Sequence, residues 1–184
     1  MNYENFSKYY DQVMGDRTRE TDVASSLINK YQPTTKTLLE IGCGTGELLK
    51  TLSKAYSVEG LDLSKEMIEI ARNKLPGVEF YRQDMSEFQL DKKYDTIICL
   101  FDSINHLLSF DKWEKTFTSV AQHLNQPGLF IVDMNTIDKL DILANKGKQE
   151  TEFSDGVFSV EVKKICDEYI WHINILKEVG GEEL

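Results

Sequence analysis

Three glycines at alternate positions form the part of the sequence with the clearest chemistry. Gly42, Gly44 and Gly46 follow the apolar run Thr37–Ile41 and precede a segment with helical spacing. Glycine adopts positive φ angles and lets a ligand approach the backbone, here beside the partial positive charge of a helix N-terminus. A dinucleotide fingerprint, G-x-G-x-x-G, would have its third glycine where Glu47 stands. Because a carboxylate at that position disfavours a pyrophosphate, the loop predicts a nucleotide-sized ligand other than NAD.

Acidic residues end the next two apolar runs of the chain. Asp62 lies 16 residues after Gly46, and Asp84 is followed by Met85 at the end of the third run. Ligands of open α/β sheets gather at the carboxyl ends of the strands, where a carboxylate can accept hydrogen bonds from ribose hydroxyls or an adenine amino group. In the alternative interpretation, Asp62 only opens a turn before the Ser64 helix and Asp84 is a solvated turn residue.

A polar cluster interrupts the fourth apolar run at the same predicted edge. Residues 100–107 read Leu-Phe-Asp-Ser-Ile-Asn-His-Leu. Such a cluster is where a substrate would meet a cofactor, and His106 is the candidate general base within it. The alternative is that His106 is a helix-start or core residue, as we expect His123 and His172 to be structural.

Five strand-like runs alternate with helix-like segments over most of the chain. The strands are predicted at 37–41, 57–61, 78–81, 94–100 and 129–133, and helices at 47–55, 64–75 and 110–124. This alternation is typical of a parallel sheet covered by helices. Helices are also predicted at 3–14, 18–31 and 137–145, a turn at 125–128, and strands with one apolar face each at 157–165 and 169–177. The predicted fold class is therefore α/β, a three-layer α/β/α Rossmann-like domain with a mostly parallel sheet and a small antiparallel lid.

The order and spacing of these motifs over residues 37–135 resemble the class I S-adenosylmethionine-dependent methyltransferases of the small-molecule type. The pattern E-x-G-x-G-x-G beginning at Glu40 is similar to their first motif, and the acids after the second and third strands follow at matching positions. The resemblance implies the cofactor S-adenosyl-L-methionine and a small-molecule methyl acceptor. The site residues that it implies, with His106 as the candidate catalytic residue, are Tyr10, Glu40, Gly42, Cys43, Gly44, Gly46, Asp62, Leu63, Met67, Asp84, Met85, Leu100 and Asp102.

The resemblance also implies a role for most of these positions. Glu40 and the glycine backbone would face the methionine part of the cofactor, Asp62 the ribose, and Asp84 with Met85 the adenine. The segment 100–106 would pass under the methionyl group. Residues 9–14 resemble the segment that closes over the cofactor in similar proteins, with Tyr10 as the contact, although Tyr10 also fits the packing stripe of an amphipathic helix.

The same resemblance divides the chain into three functional parts. Residues 1–35 would be N-terminal helices covering the cofactor site, 36–150 the cofactor-binding core, and 151–184 a lid or substrate-binding segment. The family fold has seven strands with a closing hairpin, whereas five core strands can be identified here. We therefore expect the 184 residues to be a fragment of a longer chain, in which residues 157–177 do not extend the main sheet and the fifth strand has an open edge.

Composition restricts the partners and the compartment. The chain has 21 basic and 31 acidic residues, a net charge of −10, which disfavours a nucleic-acid surface. The tetrapeptides of nucleic-acid amino-methylases are absent as well. Cys43, Cys99 and Cys166 are an odd number and lack ligand spacing, so neither a disulfide framework nor a metal site is predicted. No membrane span or secretion signal is found, and we expect a cytoplasmic protein.

Three other functions are open to a chain of this kind. A binding module would hold S-adenosylmethionine without transferring its methyl group, which the formation of S-adenosylhomocysteine would distinguish. An NAD-dependent oxidoreductase is disfavoured by Glu47. Aminopropyl transfer is disfavoured because Asp102 stands alone after the fourth strand, where paired acids would be needed for a polyamine.

The glycine loop and Asp62 together predict a ligand preference that can be measured. The protein should bind S-adenosylmethionine and S-adenosylhomocysteine but not NAD, because the loop complements an amino acid joined to a nucleoside. Calorimetric titration with the three ligands measures this preference. Binding of NAD as tight as that of S-adenosylhomocysteine would contradict it.

Overall fold

A parallel sheet covered by helices forms the main part of the protein. The structure, a computed structural model, describes residues 6–154 and 156–177. The strands of this sheet are β1 Thr37–Ile41, β2 Ser57–Asp62, β3 Glu79–Arg82, β4 Tyr94–Cys99 and β5 Leu124–Val132. They lie in the order β3-β2-β1-β4-β5 and all pair in parallel. The predicted α/β class with a mostly parallel sheet is confirmed.

Helices connect the strands at the predicted positions, whereas the α-helix predicted at 3–14 begins only at Tyr10. Residues 3–5 of that prediction lie outside the described part of the chain. Ser64 caps one of the connecting helices by accepting a hydrogen bond from the Met67 amide at 3.3 Å. Short 3-10 turns cover Ser7–Tyr9 and Ser103–His106. Within the described ranges, no helix combines the length and apolarity needed to cross a membrane. The α-helices are α1 Tyr10–Met14, α2 Thr18–Tyr31, α3 Glu47–Leu52, α4 Lys65–Lys74, α5 Phe110–His123 and α6 Ile137–Asn145.

Both faces of the main sheet are buried. On one face Leu38 and Ile98 belong to a cluster that includes buried side chains of α2, α3 and α4. On the other face Leu39 and Ile97 belong to a cluster that includes Val120 of α5. Strands covered on both sides carry apolar residues at successive positions, which explains the adjacent pairs Leu38–Leu39 in β1 and Ile97–Ile98 in β4.

A second, antiparallel sheet follows α6. It contains β6 Gln149–Phe153, β7 Gly156–Ile165 and β8 Glu168–Lys177, in that spatial order. The two strands predicted here are confirmed, with Val160 opposite Ile173 and Val162 opposite Trp171. The prediction of only a pair was wrong, because β6 adds a third strand. Residues 149–152 of β6 are exposed and polar, so they carry no hydrophobic pattern.

The start of β5 differs from the prediction. We expected a turn at residues 125–128 and a strand beginning at Leu129, but the strand begins at Leu124. Its pairing with β4 shifts register, from Tyr94 opposite Leu124 to Thr96 opposite Leu129, so the predicted turn residues form an irregularity inside the strand. In the described residues β5 pairs with β4, while β7 pairs with β6 and β8. The continuation of the chain beyond residue 184 stays a prediction.

The described chain divides into two compact units. Residues 16–134, with 6 and 7, form the unit that contains the main sheet, and residues 8–15 with those from 135 onward form the unit that contains the antiparallel sheet. The three-part functional division expected from the sequence stays a prediction.

Asp95 ties three segments together at the start of β4. Its Oδ2 accepts hydrogen bonds from the amides of Lys36 and Thr37 at 2.9 and 3.0 Å, and its Oδ1 accepts one from Asn125 Nδ2 at 2.8 Å. Although partial burial acts in the opposite direction, these donors lower the pKa of Asp95 to about 2. The carboxylate therefore stabilises the fold above the pKa of an unfolded aspartate, about 3.9, and this contribution is lost as the pH falls towards 2.

We predict that Asp95→Asn lowers the free energy of unfolding at pH 7 by about 1 to 3 kcal/mol, because charged acceptor bonds are lost. Urea denaturation at pH 7 and at pH 3 measures the free energy of unfolding. The difference in this free energy between wild type and Asp95→Asn should be smaller at pH 3. Asp91→Asn, an exposed change, is the matched control and should change stability by less than about 0.5 kcal/mol. If the difference between wild type and Asp95→Asn is the same at both pH values, the charged Asp95 carboxylate does not stabilise the fold.

Candidate functional site

The three glycines form a left-handed loop between β1 and α3. Gly42, Gly44 and Gly46 have φ angles of +72°, +52° and +75°, which side chains rarely tolerate. The amides of Gly42 and Cys43 both donate to the carbonyl of Leu61 on β2, at 2.7 and 3.0 Å. A Cβ atom added at Gly44 would meet nothing within 4 Å. The loop therefore leaves open space in front of its backbone, as a ligand-binding loop must.

The loop after β4 lies directly against the glycine loop. Ser103 Oγ donates to the Gly42 carbonyl at 3.2 Å, and a Cβ atom at Gly42 would lie 2.8 Å from Ser103 Cβ and 3.1 Å from Met85 Cε. Glycine is thus required at position 42 by space as well as by φ. The same contacts bring Met85, a predicted site residue, next to the glycine loop.

Asp62 holds the glycine loop through its carboxylate. Its Oδ2 accepts from the Gly44 amide and its Oδ1 from the Ser64 amide, each at 2.8 Å. Each oxygen keeps a further lone pair, so the carboxylate can also accept from ribose hydroxyls. Burial raises the pKa of Asp62, while the two amides, and His106 when it is protonated, oppose that rise. Asp62 therefore has both the structural role and the geometry for the predicted ribose contact, which stays a prediction.

Glu40, at the end of β1, is a buried acid with an unsatisfied oxygen. Its side chain is 1% exposed, and its Oε2 has no hydrogen-bond partner within the described part of the chain. Burial raises the pKa of Glu40 well above its ordinary value, the charge of Asp62 raises it further, and Arg17 opposes both. Because buried polar groups normally have partners, the free oxygen is evidence for a ligand with a hydrogen-bond donor. The ammonium group of an amino-acid ligand fits this requirement.

The turn after β4 is strained and is held by one carboxylate. Phe101 and Asp102 have φ angles of +60° and +61°, which cost on the order of 1 to 3 kcal/mol each in residues other than glycine. Asp133, after β5, accepts from the Phe101 amide at 3.0 Å and from the Asp102 amide at 2.8 Å. The side chain of Leu100, just before the turn, is buried. The fold therefore fixes the direction in which Phe101 and Asp102 point.

His106 lies on the 3-10 turn that follows this strained segment. Its side chain is exposed, yet the surrounding protein partly desolvates the ring and lowers the pKa of His106, while Asp62 and Asp102 act in the opposite direction. The neutral form of the imidazole is therefore favoured at pH 7. Both carboxylates are close enough to His106 to affect its pKa. The structure brings together the predicted base and the predicted ribose-binding acid.

Among the remaining predicted residues of the main unit, Asp84 and Cys43 also have structural roles. Asp84 Oδ1 accepts from the amide and hydroxyl of Ser86 at 2.9 and 2.8 Å, so Asp84 is a turn-forming residue whether or not it also binds adenine. Leu63 is exposed after β2, and Met67 is buried on α4. The Cys43 side chain belongs to the hydrophobic core, which leaves only its backbone to face a ligand.

Tyr10 is half-buried on α1, in the unit that contains the antiparallel sheet. Its predicted cofactor contact stays a prediction.

Two residues near this site were not predicted from the sequence. Arg17 is buried and its guanidinium carbon lies 3.6 Å from the centre of the Phe101 ring, which no local pattern indicates. Asp133 occupies the end of a strand, as Asp62 does, so the rule that identified Asp62 would also have identified Asp133.

Comparison with known proteins gives consistent matches. Residues 38–128 match a family described as "Methyltransferase domain". A provisionally named methyltransferase of Geobacillus sp. (strain WCH70) is 31% identical over 179 residues, which are 93% of this chain and 68% of that protein. A dTDP-3-amino-3,6-dideoxy-alpha-D-glucopyranose N,N-dimethyltransferase of Streptomyces fradiae is 32% identical over 64% of this chain, and the chain spans only 47% of its length.

A solved structure extends the likeness to nearly the whole chain. The crystal structure of an S-adenosylmethionine-dependent methyltransferase from Clostridium acetobutylicum has a TM-score of 0.80 and 26% identity. The match covers 97% of this chain and 76% of that one.

We predict that Asp62→Ala lowers the affinity for S-adenosylhomocysteine about tenfold or more, since a hydrogen bond to a charged acceptor is worth on the order of 1.5 to 3 kcal/mol. Calorimetric titration measures the affinity. Thermal unfolding without ligand measures any stability lost with the hydrogen bonds from the Gly44 and Ser64 amides. Glu69→Gln, a change in an exposed surface pair, is the control and should leave affinity unchanged. Equal affinities of Asp62→Ala and wild type for S-adenosylhomocysteine would show that the Asp62 side chain does not bind the ligand.

Proposed function

The chain belongs to the class I S-adenosylmethionine-dependent methyltransferases, and we propose that it methylates an amino group of a small molecule with His106 as the general base. The proposal is supported by the position of His106 after the strained turn that follows β4, near enough to Asp62 and Asp102 for both carboxylates to act on its pKa. The Streptomyces relative, an amino-sugar N,N-dimethyltransferase, supports an amine as the acceptor.

The residues of the main unit fit the cofactor. Glu40 would take the ammonium group, the Gly42–Gly46 backbone the methionyl chain, and Asp62 the ribose. Asp84 and Met85 would lie on the adenine side, and Leu63 and Met67 are further proposed contacts. When bound, S-adenosylmethionine supplies an electrophilic methyl group on a positively charged sulfur. The chain's main task is then to align the acceptor and exclude water.

His106 would accept a proton from the methyl acceptor. An amine attacks only through its lone pair, so an ammonium acceptor must first lose a proton, and the neutral imidazole can accept it. His106 would thereby leave the acceptor nitrogen with a free lone pair directed at the methyl carbon, and the electron pair of the carbon–sulfur bond would remain on sulfur. The charged imidazolium is stabilised by Asp62 and Asp102, the carboxylates that raise its pKa.

Charge supports a small cationic acceptor over a nucleic acid. The net charge of −10 attracts an ammonium compound and repels a phosphate backbone. We also propose a cytoplasmic location, which the odd number and wide separation of the three cysteines support.

The proposal is tested by incubating the protein with S-adenosylmethionine and a panel of small amines, including amino sugars, while S-adenosylhomocysteine formation is measured. We predict that His106→Asn lowers kcat about 100-fold or more, the usual contribution of a general base, and leaves the affinity for S-adenosylhomocysteine nearly unchanged. The loss should diminish as the pH rises, because the acceptor then deprotonates without help. Unchanged turnover at pH 7 would exclude the base role.

His123 provides a matched control. Its Nδ1 lies 2.7 Å from the Ser119 carbonyl and its Nε2 accepts from the Leu90 amide at 2.9 Å, so His123→Asn should lower thermal stability, the opposite pattern to His106→Asn. Tight cofactor binding without S-adenosylhomocysteine from any amine or hydroxyl acceptor would instead favour the binding-module alternative.

A further inference from the structure

The two oxygens of the Asp84 carboxylate have different surroundings. Oδ1 accepts hydrogen bonds from the amide and hydroxyl of Ser86 at 2.9 and 2.8 Å, which occupies both of its lone pairs. Oδ2 lies 3.4 Å from Nζ of Lys112 on α5 and keeps a further lone pair. Although partial burial acts in the opposite direction, Ser86 and Lys112 lower the pKa of Asp84. The carboxylate is therefore ionised at pH 7, and Oδ2 is the oxygen left for a ligand's hydrogen-bond donor.

Lys112 occupies a position at which its own helix disfavours a cation. Ser109 caps α5 by accepting a hydrogen bond from the Lys112 amide at 3.3 Å, which places Lys112 in the first turn of the helix. The partial positive charge of the helix N-terminus repels a cation in that turn. Proteins break local rules of this kind where a function requires it. The acid that Lys112 pairs with, Asp84, indicates where that function lies.

Two further side chains of α5 hold the segment that carries Asp84. Ser119 Oγ donates to the Ser86 carbonyl at 3.3 Å, and His123 Nε2 accepts from the Leu90 amide at 2.9 Å. They follow the lysine by seven and eleven residues, which are spacings that share one face of a helix. Because these two contacts already fix the backbone of the segment, the ion pair determines the direction of Oδ2 rather than the path of the chain.

We propose that Lys112 is a positioning residue that orients Oδ2 of Asp84 towards the amino group of the cofactor's adenine. Ser86 holds one edge of the carboxylate and the ammonium of Lys112 attracts the other oxygen, so rotation of the carboxylate plane is limited. An acceptor fixed in this way favours a purine that carries a 6-amino group over one that lacks it. This inference rests on the proposed contact between Asp84 and adenine, and it assigns the residue that determines the strength of that contact.

A pair of ligands that differ only at the 6-position of the purine tests this role. Calorimetry measures the affinities of S-adenosylhomocysteine and of its analogue with an unsubstituted purine, which lacks the amino group, for wild type and Lys112→Met. The variant should bind S-adenosylhomocysteine about threefold more weakly, within the range that an exposed ion pair contributes. Its affinity for the analogue should change by less than about 1.5-fold, because that ligand donates no hydrogen bond to Asp84.

Three further variants separate the effects of charge, of the partner acid and of the helix. Lys112→Arg keeps the charge and should keep most of the wild-type preference for the 6-amino ligand. Lys115→Met removes another lysine of α5, which pairs with Asp111 at 2.8 Å, and should leave both affinities as in the wild type. In an Asp84→Ala background, Lys112→Met should have no further effect on either affinity, because Lys112 acts through Asp84.

The ratio of the two affinities distinguishes positioning from a purely structural role. If Lys112 only stabilised the fold, Lys112→Met would weaken the binding of both ligands equally. That result would overturn the proposal, as would unchanged affinities, tighter binding of S-adenosylhomocysteine, or a wild type that does not distinguish the two ligands. These measurements need no methyl acceptor and no turnover, so a failure of the Lys112 assignment is distinct from a failure of amine methylation by His106.

Discussion

Carboxylates that accept hydrogen bonds from backbone amides hold together the loops of the site. The carboxyl edge of a parallel sheet leaves loop amides that no neighbouring strand can satisfy, and such groups need other acceptors. Asp62 accepts hydrogen bonds from the amides of Gly44 and Ser64. Asp133 accepts hydrogen bonds from those of Phe101 and Asp102. Asp84 does the same within its own turn. The glycine loop and the turn after β4 have their shapes because these acids stand at strand ends.

The same acids make the site electrostatically suited to cations. Asp62 and Asp102 place negative charge beside it, which favours a sulfonium and an ammonium acceptor. Burial raises the pKa of Glu40, and the charge of Asp62 raises it further. Arg17 offsets part of that cost, and the remaining unsatisfied oxygen of Glu40 is the feature that a bound ligand would complete. Structure and ligand binding thus depend on the same charges.

The sequence was sufficient for the parts of this site that depend on local spacing. Three alternating glycines permit a left-handed backbone after a buried strand, and the end of the next apolar run gives the position of Asp62. The buried strands were recognised for the same reason, since apolar runs are visible in any context. The resemblance to a family supplied the cofactor and the roles of the other residues.

What could not be predicted depends on long-range geometry. The burial of Arg17 depends on Phe101, which is distant in sequence, and the strain at Phe101 depends on Asp133 in another strand. β6 was missed because it is polar and exposed and acquires its conformation from pairing with β7. Asp84 shows a further difficulty, because the same carboxylate can form a turn and bind a ligand, and sequence alone cannot divide the two roles.

The central claim is that aspartate–amide hydrogen bonds preform the site and that the cofactor binds without disrupting them. A crystal structure of the protein with S-adenosylhomocysteine bound tests this most directly. We expect that Asp62 still accepts hydrogen bonds from the amides of Gly44 and Ser64, and Asp133 from those of Phe101 and Asp102. The ribose hydroxyls should lie within hydrogen-bonding distance of Asp62. Broken aspartate–amide bonds, or a ligand bound away from Asp62 and Glu40, would contradict it.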